Sequence, residues 1–383
     1  VTNRPDRTAR PQRLADLATP CLLLDRAKLA RNLEIMAAAV RRHGVALRPH
    51  MKTAKSADVA RLATAGQAGG ITVSTLAEAE YFARAGFRDI LYAVGIVPAK
   101  LDRAAALRRE GIDLTLVTDD PDTAATIAAH AQSTGAGHRV LIEVDCGEHR
   151  GGVAAESDAL VAVGRALGSH CAGVMTHAGH SYACRSIEEV EQVAETERRA
   201  AVTAAERLRA LGLSTPVVSV GSTPTALHAR SLARVTETRP GVYMFQDLFQ
   251  VQIGSGAPES MAVTVLASVI HRRSAENSVV IDAGGMALSK DRSTASAPRD
   301  YGFGLVLDLE GRQSFGEAIV ARANQEHGVV TARTPLPLDR LGVGTLVRVA
   351  PNHVCMTAAA YDRYHVIDGG DALVDVWHRV NGW

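Results

Sequence analysis

A few short stretches hold the residues whose types and spacing could do chemistry. "RPHMKTAKS" (48–56) sets Lys52 between an Arg-Pro-His and a threonine. Desolvation in an apolar barrel mouth lowers a lysine's pKa, and the neutral amine can then form a Schiff base with a carbonyl. Read alone, the same residue is a solvated lysine in a basic loop, as most lysines are. "APNHVCMT" (350–357) sets His353 and Cys355 at i, i+2. On an extended segment both side chains share a face, and imidazole plus thiolate suits Zn²⁺ with coordination positions left open. The alternative is a buried cysteine beside a hydrogen-bonded histidine. "SVGSTPTA" (219–226) offers the backbone N–H groups of Gly221, Ser222 and Thr223 and two hydroxyls ahead of Pro224. Such a turn can cradle a phosphate or simply cap a helix. "RPGVY" (239–243) adds Gly241. "VDCGEHRGGV" (144–153) puts Arg150 in a glycine-rich loop, and "THAGHSY" (176–182) brings His177, His180 and Tyr182 together. A histidine there can stack on a ring, bind a metal, or be a satisfied polar residue.

These stretches share one address if the chain between them is built of βα units. "CLLLD" (21–25) reads as a strand with Asp25 as N-cap, and Leu29, Leu33, Met36 and Val40 follow at helical spacing until Gly44. "VALRPHMK" (45–52), "GITVST" (70–75), "DILYAV" (89–94), "DLTLVT" (113–118) and "RVLIEVD" (139–145) read as strands with helical segments between them. "CAGVMTHAG" (171–179), "PVVSVGS" (216–222) and "RPGVYMF" (239–245) continue the series. About eight such units in residues 20–255 make a (β/α)8 barrel, in which function sits at the C-terminal strand ends. No GxGxxG follows the first strand, so a dinucleotide-binding sheet is disfavoured. Residues 256–383, with 1–19, read as a mainly antiparallel β domain that carries His353 and Cys355.

The chain has 383 residues, 46% of them hydrophobic, with a formal net charge of +1. The balanced, interspersed charge gives no nucleic-acid footprint. No apolar run approaches the ~18 residues of a membrane span. The polar, Arg-rich start does not read as a secretory signal. The five cysteines, odd in number and without CxxC, fit a reducing compartment. A cytoplasmic enzyme with no membrane or nucleic-acid partner is expected.

In order along the chain, "TPCLLLD", "RPHMKTAK", "ITVSTLAEAE", "THAGHSY", "VSVGSTPTA", "RPGVYMF", "IDAGG", "NQEHG" and "PNHVC" resemble the motifs of one family. It is the metal-activated D-serine dehydratase / D-threonine aldolase family of fold-type III pyridoxal-phosphate enzymes. The resemblance spans about residues 19–356 and implies an alanine racemase-like barrel and a homodimer. It makes Lys52 the cofactor-bearing lysine and Arg150 the partner of the cofactor's phenolic oxygen. It places His177 and Tyr182 in the cofactor pocket, and Gly221, Ser222, Thr223, Gly241 and Val242 in the phosphate cup. His353 and Cys355 become ligands of a divalent metal (Zn, Mn or Mg). The implied reaction removes water from a D-3-hydroxy amino acid. D-threo-3-hydroxyaspartate would give oxaloacetate and ammonia, and D-serine pyruvate and ammonia. Retro-aldol cleavage to glycine and an aldehyde is the alternative; racemisation and non-catalytic cofactor carriage are further ones. Two departures stand out. Ala54 replaces a histidine common in the family, and Cys355 stands where the aldolases carry aspartate, which points to the dehydratase side.

Overall fold

The computed structural model describes residues 12–383. The expected membership of residues 1–11 in the β domain, and the reading of the first residues as no secretory signal, lie outside the described residues there. The chain divides into two compact units. One comprises Asn32–Met244, Ile253–Ser255 and Val380–Trp383, and the other runs to Arg31 and then takes Phe245–Gln252 and Gly256–Arg379.

The first unit is a barrel of eight parallel strands: Ala46–Leu47, Ile71–Val73, Asp89–Gly95, Asp113–Thr118, Arg139–Asp145, Cys171–Thr176, Val217–Val220 and Glu237–Thr238. From the second strand on, each pairs in parallel with the next, and the eighth pairs with the first. A parallel bridge from His50 to Thr72 joins the extension of the first strand to the second and closes the ring. The strands are short apolar runs because both faces are covered, the inner by barrel side chains and the outer by helices. The crossover helices begin where side chains cap them. Thr75 Oγ1 accepts the Glu78 N–H at 3.0 Å and Asp120 Oδ2 accepts the Thr123 N–H at 2.7 Å. Gly135, at φ +71°, ends the helix Pro121–Thr134 in the left-handed conformation that favours glycine.

The second unit is a nine-stranded sheet, antiparallel in all but one of its pairings. "CLLLD" belongs here and not to the barrel. Cys21–Asp25 pairs antiparallel with Val263–Arg273 and parallel with Arg363–Ile367. A continuous buried run carries no mark of which sheet buries it, so its position ahead of a helix was misleading. Asp25 is still the N-cap: its Oδ1 accepts the N–H groups of Ala27 and Lys28 at 3.0 and 3.2 Å. "VALRPHMK" and "RPGVYMF" are also corrected. The first holds only a two-residue strand, and the second turns into the 3-10 helix Val242–Met244. Pro49 and Pro240 have no N–H to continue a ladder. Among the described residues no helix is long and apolar enough to cross a membrane.

Candidate active site

Lys52, Arg150, His177 and Gly221 line one cavity of the barrel unit, together with His50, Glu143 and Arg239. Lys52 follows the first strand, where Pro49 ends the pairing and a turn begins. Its side chain is exposed, not buried as the reading of an apolar barrel mouth expects. Charged and imidazole side chains share the lining with Ala93, Val94 and Met175, so the mouth is a mixed surface and not an apolar collar. Arg150 lies 3.7 Å from Glu143 and 3.5 Å from Glu148. Burial raises the Glu143 carboxyl and Arg150 opposes that rise.

His177 follows the sixth strand, and its Nδ1 lies 3.1 Å from the carbonyl oxygen of Gly221. Burial, then the charges of Lys52 and Arg150, push its pKa down to about 3. The ring is therefore neutral near pH 7, with Nδ1–H donating to Gly221 and Nε2 left as an acceptor. His50 is pushed down in the same way by burial, Lys52 and Arg239. The cavity thus keeps two imidazoles uncharged beside three cationic side chains.

The glycine–serine–threonine turn is built differently from a bare N–H cradle. The Gly221 N–H donates to Glu197 Oε1 at 2.9 Å, and the Ser222 N–H to Thr225 Oγ1 at 3.0 Å. Ser222 Oγ meets Ser181 Oγ at 2.9 Å, and Thr223 Oγ1 accepts the Tyr243 N–H at 3.1 Å. Two of the expected N–H donors are therefore committed internally. Only glycine fits at 221, where φ is +130° and a Cβ would lie 2.5 Å from Thr238 Oγ1. At 241 a Cβ would lie 2.9 Å from the His50 carbonyl oxygen, so Gly241 lets the chain pass against the turn that carries Lys52. Val242 opens the 3-10 helix Val242–Met244. Tyr182 sits half-buried on the 3-10 helix Gly179–Ala183 and is not among the residues lining the cavity, and the same holds of Ser222, Thr223, Gly241 and Val242.

Sequence reasoning missed two buried groups behind this turn. Arg239, 4% exposed, donates to Ser219 Oγ and the carbonyls of Thr176 and Val220. Glu197, 1% exposed, accepts from Thr176 Oγ1, the Ala178 and Gly221 N–H groups and Thr225 Oγ1. It lies in the buried stripe Val190, Ala194, Glu197, Ala201 of the helix Ile187–Ala210. A glutamate in such a stripe is the signal that could have found it.

In the other unit, His353 and Cys355 stand together but not on a strand. His353 is the extended N-cap of the short helix Val354–Ala358, and Cys355 lies in its first turn. Pro351 ends the preceding strand, so a cap geometry, not strand alternation, aligns the pair. The structure adds two carboxylates from distant segments. Asp291 Oδ2 lies 3.7 Å from His353 Nδ1. Asp247, fully buried, accepts the Val354 N–H at 3.0 Å and the Gln250 N–H at 2.9 Å. Burial alone would lower the His353 pKa, but Cys355, Asp291 and Asp247 outweigh it and raise it to about 11. Burial opposes ionisation of Asp291, but the neighbouring His353 and the hydrogen bonds from the Ser293 N–H and hydroxyl hold it at about 2.

Both donor sets fit the groups the motifs imply. The cavity offers an amine, a cation and a neutral imidazole to an aldehyde-bearing cofactor. The imidazole–thiol pair, with a carboxylate behind the imidazole, is the arrangement that orients a metal-ligating histidine. Among the described residues no three His, Cys, Asp or Glu side chains converge on one metal position. The pair would leave open positions, as catalytic metals do. Ala54 is fully buried, so a histidine there would need the neighbouring turn to move.

The family profile described as alanine racemase, N-terminal domain, matches residues 24–248, and a serine dehydratase domain profile matches 262–367. The chain is 45% identical to D-threo-3-hydroxyaspartate dehydratase of Delftia sp. strain HT23 over 97% of this chain and 99% of that one. The solved structure of that protein superposes with a TM-score of 0.94, covering 97% of this chain and 100% of the other. A cysteine-to-alanine variant of D-threo-3-hydroxyaspartate dehydratase, solved in a metal-free form, also superposes at 0.94 with 44% identity, covering 97% of both chains or more. D-serine dehydratase of Dictyostelium discoideum is 28% identical over 96% of this chain and 98% of that one. D-threonine aldolase from Filomicrobium marinum, at 26% identity, superposes with a TM-score of 0.80 over 97% of each chain. With the barrel, the separate antiparallel sheet and the two donor sets in view, these likenesses make the chain a member of the D-serine dehydratase / D-threonine aldolase family of fold-type III pyridoxal-phosphate enzymes.

Proposed function

We propose that this chain is a pyridoxal-phosphate- and divalent-metal-dependent dehydratase that eliminates water from D-3-hydroxy amino acids. D-threo-3-hydroxyaspartate and D-serine are the leading substrates. The observation that carries the reading is the presence in one chain of a cavity-lining lysine and an imidazole–thiol pair. A Lewis acid beside a carbanion-stabilising cofactor is useful where a hydroxyl must leave or be acidified. The dehydratase relatives and the thiol ligand favour departure over acidification.

Bound pyridoxal phosphate would supply an electron sink for the pair left at Cα when its proton is removed. Lys52 is the residue assigned to hold the cofactor and to take the Cα proton. Its place on one wall of the cavity would select one enantiomer. Arg150 supplies positive charge for the cofactor's phenolic oxygen. His177 stays neutral and hydrogen-bonded to Gly221, so it adds no further positive charge beside Lys52 and Arg150. Tyr182 stands off the cavity lining and is assigned to the pocket by its motif alone; Gly221, Ser222, Thr223, Gly241 and Val242 are the residues assigned to the phosphate cup. His353 and Cys355 would hold the metal, Zn²⁺ being the best match to a thiolate. Loss of hydroxide from Cβ and hydrolysis of the resulting enamine give a 2-oxo acid and ammonia. Five free cysteines support a reducing, cytoplasmic setting, and a homodimer is the proposed assembly.

The test is product analysis on D-serine, D-threonine and both D-3-hydroxyaspartates, with and without chelator. Ammonia and 2-oxo acid in equal amounts, lost on chelation and restored by Zn²⁺, are expected. Glycine with an aldehyde and no ammonia would establish aldol cleavage instead, and full activity in metal-free protein would remove the metal from the proposal.

A further inference from the structure

A carboxylate in the wall of a cavity that takes an anionic phosphate ester repels its own ligand. Glu143 is such a group. It stands on the fifth barrel strand, Arg139–Asp145, two positions after Leu141, and strand alternation puts the two side chains on one face. Leu141 packs with Leu91, Val117 and Met175, and Glu143 lines the cavity beside Met175. Its side chain is only 16% exposed. Burial raises its pKa; Arg150 opposes that rise ahead of Arg239, while Asp119 and Glu148 add to it. Arg239 is already held by Ser219 and the carbonyls of Thr176 and Val220. Among the described residues the one ion pair of Glu143 is with Arg150.

Arg150 lacks a fixed place in a complementary way. The backbone of its loop is anchored on both sides. Asp145 Oδ1 accepts the Gly147 and His149 N–H groups at 2.9 and 3.1 Å, and Asp119 Oδ2 accepts the Gly152 N–H at 2.7 Å. The side chain itself is 56% exposed and reaches two carboxylates by different nitrogens, Nη2 to Glu143 at 3.7 Å and Nη1 to Glu148 at 3.5 Å. Glu148 rides on the same loop, two positions away. Glu143 belongs to a strand paired on both sides. Of the two carboxylates, Glu143 is therefore the one set by the rigid scaffold.

We propose that Glu143 is a positioning residue: its carboxylate draws the Arg150 guanidinium over the cavity and holds it there to meet the cofactor's phenolic oxygen. The proposal rests on the assignment of Arg150 to that oxygen. An arginine side chain left in solvent samples many rotamers, and ordering it on binding lowers affinity. With Glu143 in place that ordering precedes the cofactor, and pairing with Arg150 weakens the repulsion between Glu143 and the incoming anion.

The sign of one measurement separates this role from that of a bystander. A bystander carboxylate only repels the cofactor, so Glu143→Gln would tighten binding. A positioning carboxylate loses its hold on Arg150, so Glu143→Gln should bind pyridoxal phosphate about fivefold more weakly than wild type, read by visible absorbance titration of the full-length, cofactor-freed chain. Arg150→Met should bind about tenfold more weakly, and the double variant no more weakly than Arg150→Met, because Glu143 then has nothing to position. Glu143→Asp, which keeps the charge, should recover part of the loss. Crystals of the cofactor-freed protein should show the guanidinium over the cavity in the wild type and turned toward Glu148 or solvent in Glu143→Gln. The proposal is overturned if Glu143→Gln binds as tightly as wild type or more so, if its effect persists in full beside Arg150→Met, or if Arg150 keeps its place without Glu143. Wild-type affinity in Arg150→Met would remove Arg150 from the cofactor and the proposal with it, whereas a weakened Arg150→Met beside an unchanged Glu143→Gln overturns the proposal alone. If Glu143→Gln does not fold, Glu143→Asp, alone and combined with Arg150→Met, decides by the same comparison.

Discussion

Glu197→Ala should weaken both the fold and the cofactor pocket. Oε1 accepts from Thr176 Oγ1 at 3.1 Å, the Ala178 N–H at 3.1 Å and the Gly221 N–H at 2.9 Å, and Oε2 from Thr225 Oγ1 at 2.9 Å. The two hydroxyls can turn toward other acceptors; Thr225 Oγ1 already has Ser222 Oγ at 3.0 Å. The two N–H groups cannot turn. Each buried donor left unsatisfied costs about 1–3 kcal/mol, and the emptied volume adds about 1 kcal/mol, so the loss should be roughly 3–7 kcal/mol. Glu197→Gln keeps an acceptor at Oε1 and should lose about 1–2 kcal/mol. The effect should reach the cavity because Gly221, freed at its N–H, also positions its carbonyl against His177 Nδ1. Urea unfolding gives the stability, and visible absorbance titration gives the cofactor affinity. The alanine variant should bind cofactor about tenfold more weakly, the glutamine variant within about threefold of wild type. An alanine variant within about 1 kcal/mol of wild type would refute the hydrogen-bond reasoning. One that is destabilised yet binds cofactor normally would refute the coupling through Gly221.

Lys52→Ala should abolish turnover and the absorbance of the lysine-bound cofactor. Lys55→Met should do neither but should cost about 3 kcal/mol, because Lys55 Nζ lies 3.0 Å from Glu78 and leaves that buried carboxylate uncompensated; borohydride trapping and peptide mapping separate the two, and attachment at residue 55 would reverse the assignment. Stability should also fall as the solution is acidified. His177 and His138 have folded pKa values pushed, chiefly by burial, to about 3 and about 4, from an ordinary value of 6.5. The unfolded chain therefore takes up protons that the folded chain refuses, so the stability present above pH 6.5 is lost between there and the folded values, at up to about 1.4 kcal/mol per pH unit for each group. Urea midpoints measured from pH 7 to 5 check this, and a midpoint that rises on acidification would contradict the burial of these rings.

What could be seen in the sequence was what is local. The strands Asp113–Thr118 and Arg139–Asp145 were legible to the residue because a strand buried on both faces is a continuous apolar run. Lys52, Arg150, His177 and Gly221 were legible as strand-end residues, and they do line one cavity. The partners that hold such residues were not legible, because they come from far along the chain. Glu197 reaches Gly221 from a different helix, Asp291 reaches His353 across some sixty positions, and Arg239 crosses to Thr176. The same limit explains "CLLLD": three buried leucines cannot say which of two sheets will bury them. It also explains the turn at 221. The sequence shows small and hydroxylated residues there, which suit a phosphate, but the Gly221 N–H is spent on a carboxylate 24 positions upstream and the Ser222 N–H on the Thr225 hydroxyl. With Gly221 and Ser222 committed internally, the turn is rigid before any ligand arrives. For a ligand bound there, as proposed above, little ordering entropy would remain to be lost. The same economy appears at the imidazole–thiol pair. Asp247 fixes the backbone between His353 and Cys355 through the Val354 N–H, so the two residues are held in register by a carboxylate from a distant segment.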